Sequence, residues 1–386
     1  MQFVADSRTL GSVLEEVACA PAYALDTEFH REGRYRPKLA LVQLAWRGGV
    51  VLIDPLMVDV APLDSLFRSG ARAVLHAADQ DLDVLEQSVG TLPNAIFDTQ
   101  LACRFVGLGP LSLDAACKTV LGVRLPKPAS VSDWLRRPLE ATQLEYAAAD
   151  VRHLLDLADH LERELERLGR AEWFEGECET LLRRRRREPD PDAAWTRVKG
   201  IRRLSGRELG AAKALAAWRE RRAARMDRPR ESVLSDLALI AVARERPRDR
   251  DGLLRVRGLK ATTEDGEFLD EILRALEASE EFSVGESQQE RKPLPNHLRP
   301  LVPLLSSWLS EVGRRHQIDP TVVGTRDDIE ESLSNGFTSG RLTEGWRWDL
   351  VGKDLCRIAQ GEVGVFHRPG RGLILLTVTS HDDCHD

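Results

Sequence analysis

Four carboxylates and one tyrosine, spread over three short segments, are the residues of this 386-residue chain best suited to chemistry. Asp26 and Glu28 lie in Leu25-Asp26-Thr27-Glu28-Phe29, and Asp81 in His76-Ala77-Ala78-Asp79-Gln80-Asp81-Leu82. Tyr146 and Asp150 lie in Tyr146-Ala147-Ala148-Ala149-Asp150-Val151. Residues two apart on a strand point to one face, as Asp26 and Glu28 would. Residues four apart on a helix also share a face, as Tyr146 and Asp150 would. Oxygen ligands of this kind suit Mg²⁺ or Mn²⁺ and not zinc. Without cations, four clustered carboxylates repel one another strongly, so the metal-free cluster is expected to be mobile or partly protonated. Two such cations roughly 3.5–4 Å apart stabilise the attacking and the leaving oxygen of an in-line displacement at a phosphodiester. Tyr146, with an ordinary pKa of about 10, stays protonated at neutral pH and is suited to orienting the attacking water.

Each segment taken singly has a plainer reading. An Asp26-Thr27-Glu28 string can be a solvated strand end, a tyrosine four before an aspartate a helix-surface pair, and Asp81 a favourable acid in a helix's first turn. All three together, in strand, helix and helix context, favour the metal cage.

The elements that must position these groups can be read from periodicity. Tyr23 to Asp26 leads into an extended run. Leu39–Ala45 and Val50–Ile53 read as apolar strands around a Gly48-Gly49 turn, and Val74–His76 as a further short strand. Asp81–Val89 and Gln143–Leu168 have helical spacing. A helix beginning near Ala141 is expected to run on through the charged stretch to Arg183-Arg184-Arg185-Arg186-Arg187. Glu188-Pro189-Asp190-Pro191-Asp192 then stops it. Strands interleaved with helices predict an α/β domain with a mixed sheet flanked by helices over residues 1–185.

From Ala193 onward the strand signal nearly vanishes. Helices are expected over Gly206–Met226, Glu231–Arg244 and Glu264–Ser279, then a polar linker from Ser283 to Lys292. Further helices are expected over Leu298–His316, Asp327–Leu333 and Trp348–Gln360. The two pieces, 193–282 and 295–380, look like diverged copies of one small all-α unit. Leu215-Ala216-Ala217-Trp218-Arg219-Glu220 and Leu304-Leu305-Ser306-Ser307-Trp308-Leu309 each close an early helix with a tryptophan. A proline-bearing turn follows in both copies, at Asp227-Arg228-Pro229 and at Asp319-Pro320.

Six scattered cysteines without a Cys-x-x-Cys pair support neither a disulfide framework nor a structural zinc site. No apolar run approaches a membrane span. No basic leader is present, and Glu15 and Glu16 interrupt the only apolar stretch near the start, so a signal peptide is not expected and the compartment reads as cytoplasmic. Neither a membrane nor an obligate protein partner is expected. The net charge of −7 is unusual for a nucleic-acid binder. An acidic site that becomes less so on loading cations, in an enzyme that need not grip its substrate tightly, accommodates it.

With these residues in place, the chain resembles the ribonuclease D family, in the tyrosine-bearing branch of the DEDD exonucleases. Ala24-Leu25-Asp26-Thr27-Glu28-Phe29, Leu41-Val42-Gln43-Leu44, His76-Ala77-Ala78 and Phe97-Asp98-Thr99-Gln100-Leu101-Ala102 carry the resemblance. So do Ser132-Asp133-Trp134 and Glu145-Tyr146-Ala147-Ala148-Ala149-Asp150-Val151. It covers about the first 180 residues. Glu145 stands where the sister branch carries histidine, which disfavours that branch. The resemblance implies an RNase H-like fold and 3′-to-5′ exonuclease chemistry, with Asp26, Glu28, Asp81 and Asp150 as metal ligands and Tyr146 orienting water. Trp195-Thr196-Arg197-Val198-Lys199-Gly200 and the Trp218 and Pro229 segments resemble a helicase-and-RNase-D-C-terminal (HRDC) domain. The second copy departs further, keeping its tryptophan and Gly345-Trp346-Arg347-Trp348-Asp349-Leu350.

The expected function is therefore metal-dependent 3′-5′ exoribonuclease activity that releases 5′-mononucleotides and matures the 3′ ends of transfer RNA and other stable RNA precursors. The expected partner is an RNA with a free 3′ end. A DNA-directed exonuclease and a non-catalytic RNA-binding scaffold are the alternatives. The complete acid set argues against the scaffold. Phe29 is a candidate to stack on a terminal base and His76 to contact phosphate or sugar, although both suit ordinary burial. The five-arginine run could follow a phosphate backbone or be a solvated helix end. The His381-Asp382-Asp383-Cys384-His385-Asp386 tail reads as a disordered terminus.

Overall fold

A computed structural model describes residues 1–126, 133–184, 190–262, 265–279 and 294–377. The tail from His381, Ser132, and Arg185 to Arg187 of the arginine run lie outside the described residues. The chain divides into two compact units. The first holds Met1–Glu28, Leu41–Arg184 and Arg291–Asp386, the second Phe29–Ala40 and Arg185–Glu290.

In the first unit, β1 (Gln2–Val4), α1 (Ser7–Ala18), β2 (Ala22–His30), β3 (Lys38–Trp46) and β4 (Gly49–Ile53) are followed by α2 (Leu63–Phe67), β5 (Arg72–Leu75), α3 (Asp79–Val89), β6 (Ile96–Asp98), α4 (Thr99–Phe105) and α5 (Leu113–Leu121). The six strands form one sheet in the order β1-β4-β3-β2-β5-β6. It is mixed: β3 and β4 are antiparallel, while β1 with β4, β2 with β5, and β5 with β6 are parallel. Tyr23, Ala24 and Leu25 of β2 and Leu41, Val42 and Leu44 of β3 are fully buried. Strands covered on both faces lose simple alternation and read as continuous apolar runs. That is why β2 and β3 were legible as strands.

The single helix expected from Ala141 is three: α6 (Ala141–Arg152), α7 (Leu154–Arg167) and α8 (Ala171–Arg183). The second break has a local cause, because Gly169 takes φ +66° and turns the chain before Arg170. The first falls at His153 without a glycine or proline. Burial of Leu154, Leu157 and Leu161 on α7 fixes the new direction there, which no local signal carries.

The last part of the first unit contains α14 (Leu301–His316), named after five helices of the second unit. Those are α9 (Gly206–Met226), α10 (Arg230–Val233), α11 (Asp236–Glu245), α12 (Arg250–Arg255) and α13 (Gly266–Ala278). The expected helix Glu231–Arg244 is split, because Leu234 is extended and the Ser235 side chain caps α11 by accepting from Ala238 N. In the second unit, Ala211, Leu215, Ala216, Leu239, Val242, Leu269 and Ile272 form the core. Buried Arg219 donates to the Asp236 carboxylate and the Leu234 carbonyl, each at 2.8 Å. Glu271 accepts from the Trp218 indole at 2.7 Å and from Arg222 at 2.6 Å.

After α14 come α15 (Pro320–Val323), α16 (Arg326–Asn335), α17 (Gly345–Arg347), a π-helical turn over Trp348–Gly352 and α18 (Lys353–Ala359). An antiparallel hairpin, β7 (Val363–Arg368) and β8 (Gly372–Thr377), closes the described chain. The helical reading did not anticipate it. Its signal was a short apolar run on either side of the Pro369-Gly370 turn. This segment docks on the sheet's helices. Arg170, 6% exposed, donates to the Phe105 carbonyl and to the Gln317 and His316 carbonyls at the end of α14. Arg347 pairs with Glu177 at 2.7 Å, and the Trp173 and Trp346 rings stack with centroids 4.8 Å apart.

Candidate active site

Asp26 and Glu28 reach the site from the middle of the sheet, on β2 beside β5. Tyr146 and Asp150 come from α6. The opposite side of α6 is small, with Ala147 and Ala148 buried against Leu41 of β3 and Leu52 of β4. Alanine there lets the helix lie close on the sheet, which leaves the Tyr146–Asp150 face free to project into the site. Asp26, Tyr146 and Asp150 line one cleft of about 170 Å³ together with His76, Leu113 and Leu154. Asp81 is the third residue of α3, 7% exposed, and accepts from the Thr27 hydroxyl at 2.5 Å.

Asp81 and Asp150 are near enough to Asp26 and Glu28 to act on their protonation. Burial, followed by the charges of Asp81, Asp150 and Glu28, raises Asp26 well above the ordinary carboxylate range. Burial and the charges of Asp150 and Asp81 push Glu28 up to about 8. Burial lifts Asp150 to about 7 against the lowering effect of a hydrogen bond from Tyr146. Burial lifts Asp81 to about 6 against the hydrogen bond from Thr27. Burial and the neighbouring acids also raise the Tyr146 phenol, which therefore keeps its proton at neutral pH and donates to Asp150.

A set of four carboxyls, Asp81 buried and the other three half-buried, all shifted toward the protonated form, is the donor chemistry of a hard-cation site, since bound cations remove the conflict. Among the described residues, no three His, Cys, Asp or Glu side chains form a ready-made cage for one ion. Mg²⁺ does not require one: it keeps several waters and takes one or two carboxylates together with substrate phosphate oxygens. The residues therefore fit divalent cations that are completed by water and nucleotide.

The two candidate substrate contacts are engaged as follows. His76 lines the cleft, but both ring nitrogens meet protein atoms, the Thr99 hydroxyl at 2.8 Å and the Leu111 carbonyl at 3.1 Å. Burial holds its pKa below the ordinary histidine value. Phe29 is half-buried, and the Arg31 guanidinium lies over its ring at 5.1 Å. In the arginine run, Arg183 pairs with Glu179 and Arg184 with Asp79, so these first two are tied to acids.

Sequence reasoning passed over several residues that hold the site together. Thr27 was read only as the spacer between two acids, yet its hydroxyl orients Asp81. The Asp98 carboxylate accepts from the Ala77, Ala78, Gln100 and Leu101 amides. Arg137 grips buried Asp54 with two bonds of 2.5 and 2.7 Å and donates to the Trp134 carbonyl. Trp134 in turn lies with its ring 6.3 Å from that of Tyr146. No local pattern reveals the distant bonds among these, which run from Ala78–Asp98, 20 residues apart, to Asp54–Arg137, 83 apart.

A protein-family model described as 3′-5′ exonuclease matches residues 1–166, and an HRDC domain model matches residues 208–276. A mixed sheet bearing the acid cluster, matched in this way, defines a 3′-5′ exonuclease with an RNase H-like catalytic fold. Ribonuclease D of Gluconacetobacter diazotrophicus is 34% identical over 93% of both chains. That of Sphingobium indicum is 33% identical over 95% of this chain and 97% of its own. The crystal structure of Escherichia coli RNase D superposes with a TM-score of 0.83 at 30% identity, covering 93% of this chain and 98% of that one. The chain belongs to the ribonuclease D family and is a 3′-5′ exoribonuclease, a hydrolase of phosphodiester bonds. The catalytic core of RRP6 from Trypanosoma brucei, at 23% identity and a TM-score of 0.58, shares the fold. No helix among the described residues is long and apolar enough to cross a membrane.

Proposed function

We propose that the enzyme removes nucleotides one at a time from the 3′ end of RNA in a reaction that depends on divalent metal, releasing 5′-mononucleotides. The observation that carries this reading is the gathering of carboxyls in one place: Asp26, Tyr146 and Asp150 line one cleft, and the charges of Asp81 and Asp150 hold Asp26 and Glu28 protonated. Mg²⁺ or Mn²⁺ bound there would supply activation of water and neutralisation of the departing 3′ oxygen. The four carboxylates hold the cations in this proposal. Tyr146, protonated, positions the attacking water from the cleft wall. Leu113 and Leu154 of the same cleft give a terminal base or sugar an apolar surface.

The substrates proposed are precursors of transfer RNA and other stable RNAs with an open 3′ tail. The E. coli relative is described as an exoribonuclease involved in structured RNA processing, which supports this assignment. The HRDC domain is proposed to engage the body of the RNA, and the cytoplasm is the proposed compartment. End-labelled RNA and DNA with 3′ tails, incubated with Mg²⁺, Mn²⁺ or chelator, test the proposal. A ladder that shortens from the 3′ end of RNA only when metal is present is expected. Equal digestion in chelator, or digestion of DNA alone, overturns it.

A further inference from the structure

Asp98 closes β6, and β6 lies parallel to β5 with Asp98 beside Leu75, the last residue of β5. Its carboxylate therefore stands at the ends of two parallel strands, next to the chain that turns from β5 into α3. That turn is unusual. Ala77 takes φ +60°, a left-handed conformation that an L-residue with a Cβ rarely adopts. α3 also begins without a side-chain cap, since its cap position is Ala78.

Asp98 supplies from another strand what the turn lacks. Oδ1 accepts from Ala77 N at 3.1 Å and Oδ2 from Ala78 N at 3.0 Å. The same Oδ1 accepts from Gln100 N at 2.9 Å and Leu101 N at 3.1 Å, which caps α4. Asp98 is 5% exposed, so these amides have no competing water. Thr99 adds a donor to the Leu75 carbonyl at 2.9 Å, fixing the same strand end. Asp81 sits three residues beyond Ala78, in the first turn of α3. Its carboxylate therefore goes where this turn aims it.

We infer that Asp98 is the positioning residue of the acid cluster: by clamping the left-handed turn at Ala77 it sets Asp81 at the distance from Asp26 and Glu28 that divalent cations require. This rests on the proposed metal site. Asp98 itself contacts neither substrate nor cation in this assignment. An asparagine at 98 can offer its Oδ1 to three of the four amides. Its amide nitrogen would then face the Ala78 N–H without accepting it. The turn loosens while the α4 cap survives.

The test uses full-length wild type, Asp98→Asn, Asp98→Asn with Ala77→Gly, and Asp26→Asn. Mn²⁺ binding is followed by electron paramagnetic resonance with a non-hydrolysable dinucleotide present, amide hydrogen exchange is read over residues 76–82, and hydrolysis is titrated with Mn²⁺. Asp98→Asn is expected to weaken Mn²⁺ binding and shift its activation midpoint at least tenfold upward, with faster exchange confined to residues 76–82. Glycine tolerates φ +60°, so the added Ala77→Gly is expected to recover part of the Mn²⁺ affinity. A purely structural role would lower stability without moving the Mn²⁺ midpoint, and that result overturns the inference. If Asp98→Asn does not fold, the double variant carries the same comparison. Asp26→Asn separates the two readings. Full activity in that variant sinks the metal site and the inference with it. Loss of activity there, with wild-type Mn²⁺ affinity in Asp98→Asn, sinks the inference alone.

Discussion

At the scale of single residues, the acid cluster ties stability to pH in a definite direction. Asp26, Glu28, Asp81 and Asp150 all hold protons more tightly in the folded chain than free carboxyls do. The folded state therefore binds more protons than the unfolded one, and stability falls as pH rises. The loss begins near the ordinary carboxylate value of about 4 and continues through the folded values of about 6 to 8. Metal-free protein should thus be harder to denature at pH 5 than at pH 8 as far as these groups decide it, and Mg²⁺ or Mn²⁺ should restore the difference. Urea midpoints across that range, with and without cation, check this. Asp26→Asn removes a carboxyl that the metal-free fold must keep protonated. It should abolish hydrolysis and raise the metal-free unfolding free energy by about 1–2 kcal/mol; a destabilised variant would contradict the burial argument. Tyr146→Phe is expected to slow turnover by about 10²-fold while leaving Mn²⁺ affinity intact, as the proposed water-positioning role of the phenol requires. The five proposed site residues stand out in the sequence because each belongs to a short motif with a fixed spacing. Thr27 and Asp98 do not, because their partners, Asp81 and the Ala77 turn, are distant in sequence.

At the scale of elements, the four central strands of the sheet are legible in the sequence, whereas the edge strands β1 and β6 and the β7–β8 hairpin are not. β2, β3 and β4 are buried on both faces and announce themselves as apolar runs. The α6–α7 break at His153 has no such signal, because the helical period of apolar residues runs straight through it. α6 shows how an element serves the site: alanines on one side set its distance from the sheet, while the Arg137–Asp54 pair fixes the segment that brings Trp134 toward Tyr146. Asp54 is 1% exposed, so Arg137→Ala would leave a buried carboxylate without its partner. A loss of about 3–5 kcal/mol is expected on this ground, together with slower turnover through the loosened tyrosine. Chemical denaturation beside single-turnover kinetics measures both, and unchanged stability would refute the pairing as an anchor.

At the scale of the molecule, residues 294–377 belong to the unit that holds most of the exonuclease sheet, while the HRDC-matching helices belong to the other unit. The likeness expected from the paired tryptophans gave no hint of this difference in packing. What distinguishes the last segment is the arginine traffic at its base: Arg170 on the end of α14, and Arg347 and Arg341 on Glu177. Glu177→Gln strips Arg347 of its counter-charge and leaves Arg341 only Asp328, at 3.5 Å, and the Arg347 side chain is only 7% exposed. About 3 kcal/mol of stability should disappear, and limited proteolysis should then release the last segment ahead of the sheet.

The stacked indoles of Trp173 and Trp346, nearly parallel at 9°, lie on this same seam. Rings so placed share excitation and quench one another, so emission should brighten at the moment the seam parts. The enzyme carries its own lamp for watching that event, with no dye attached.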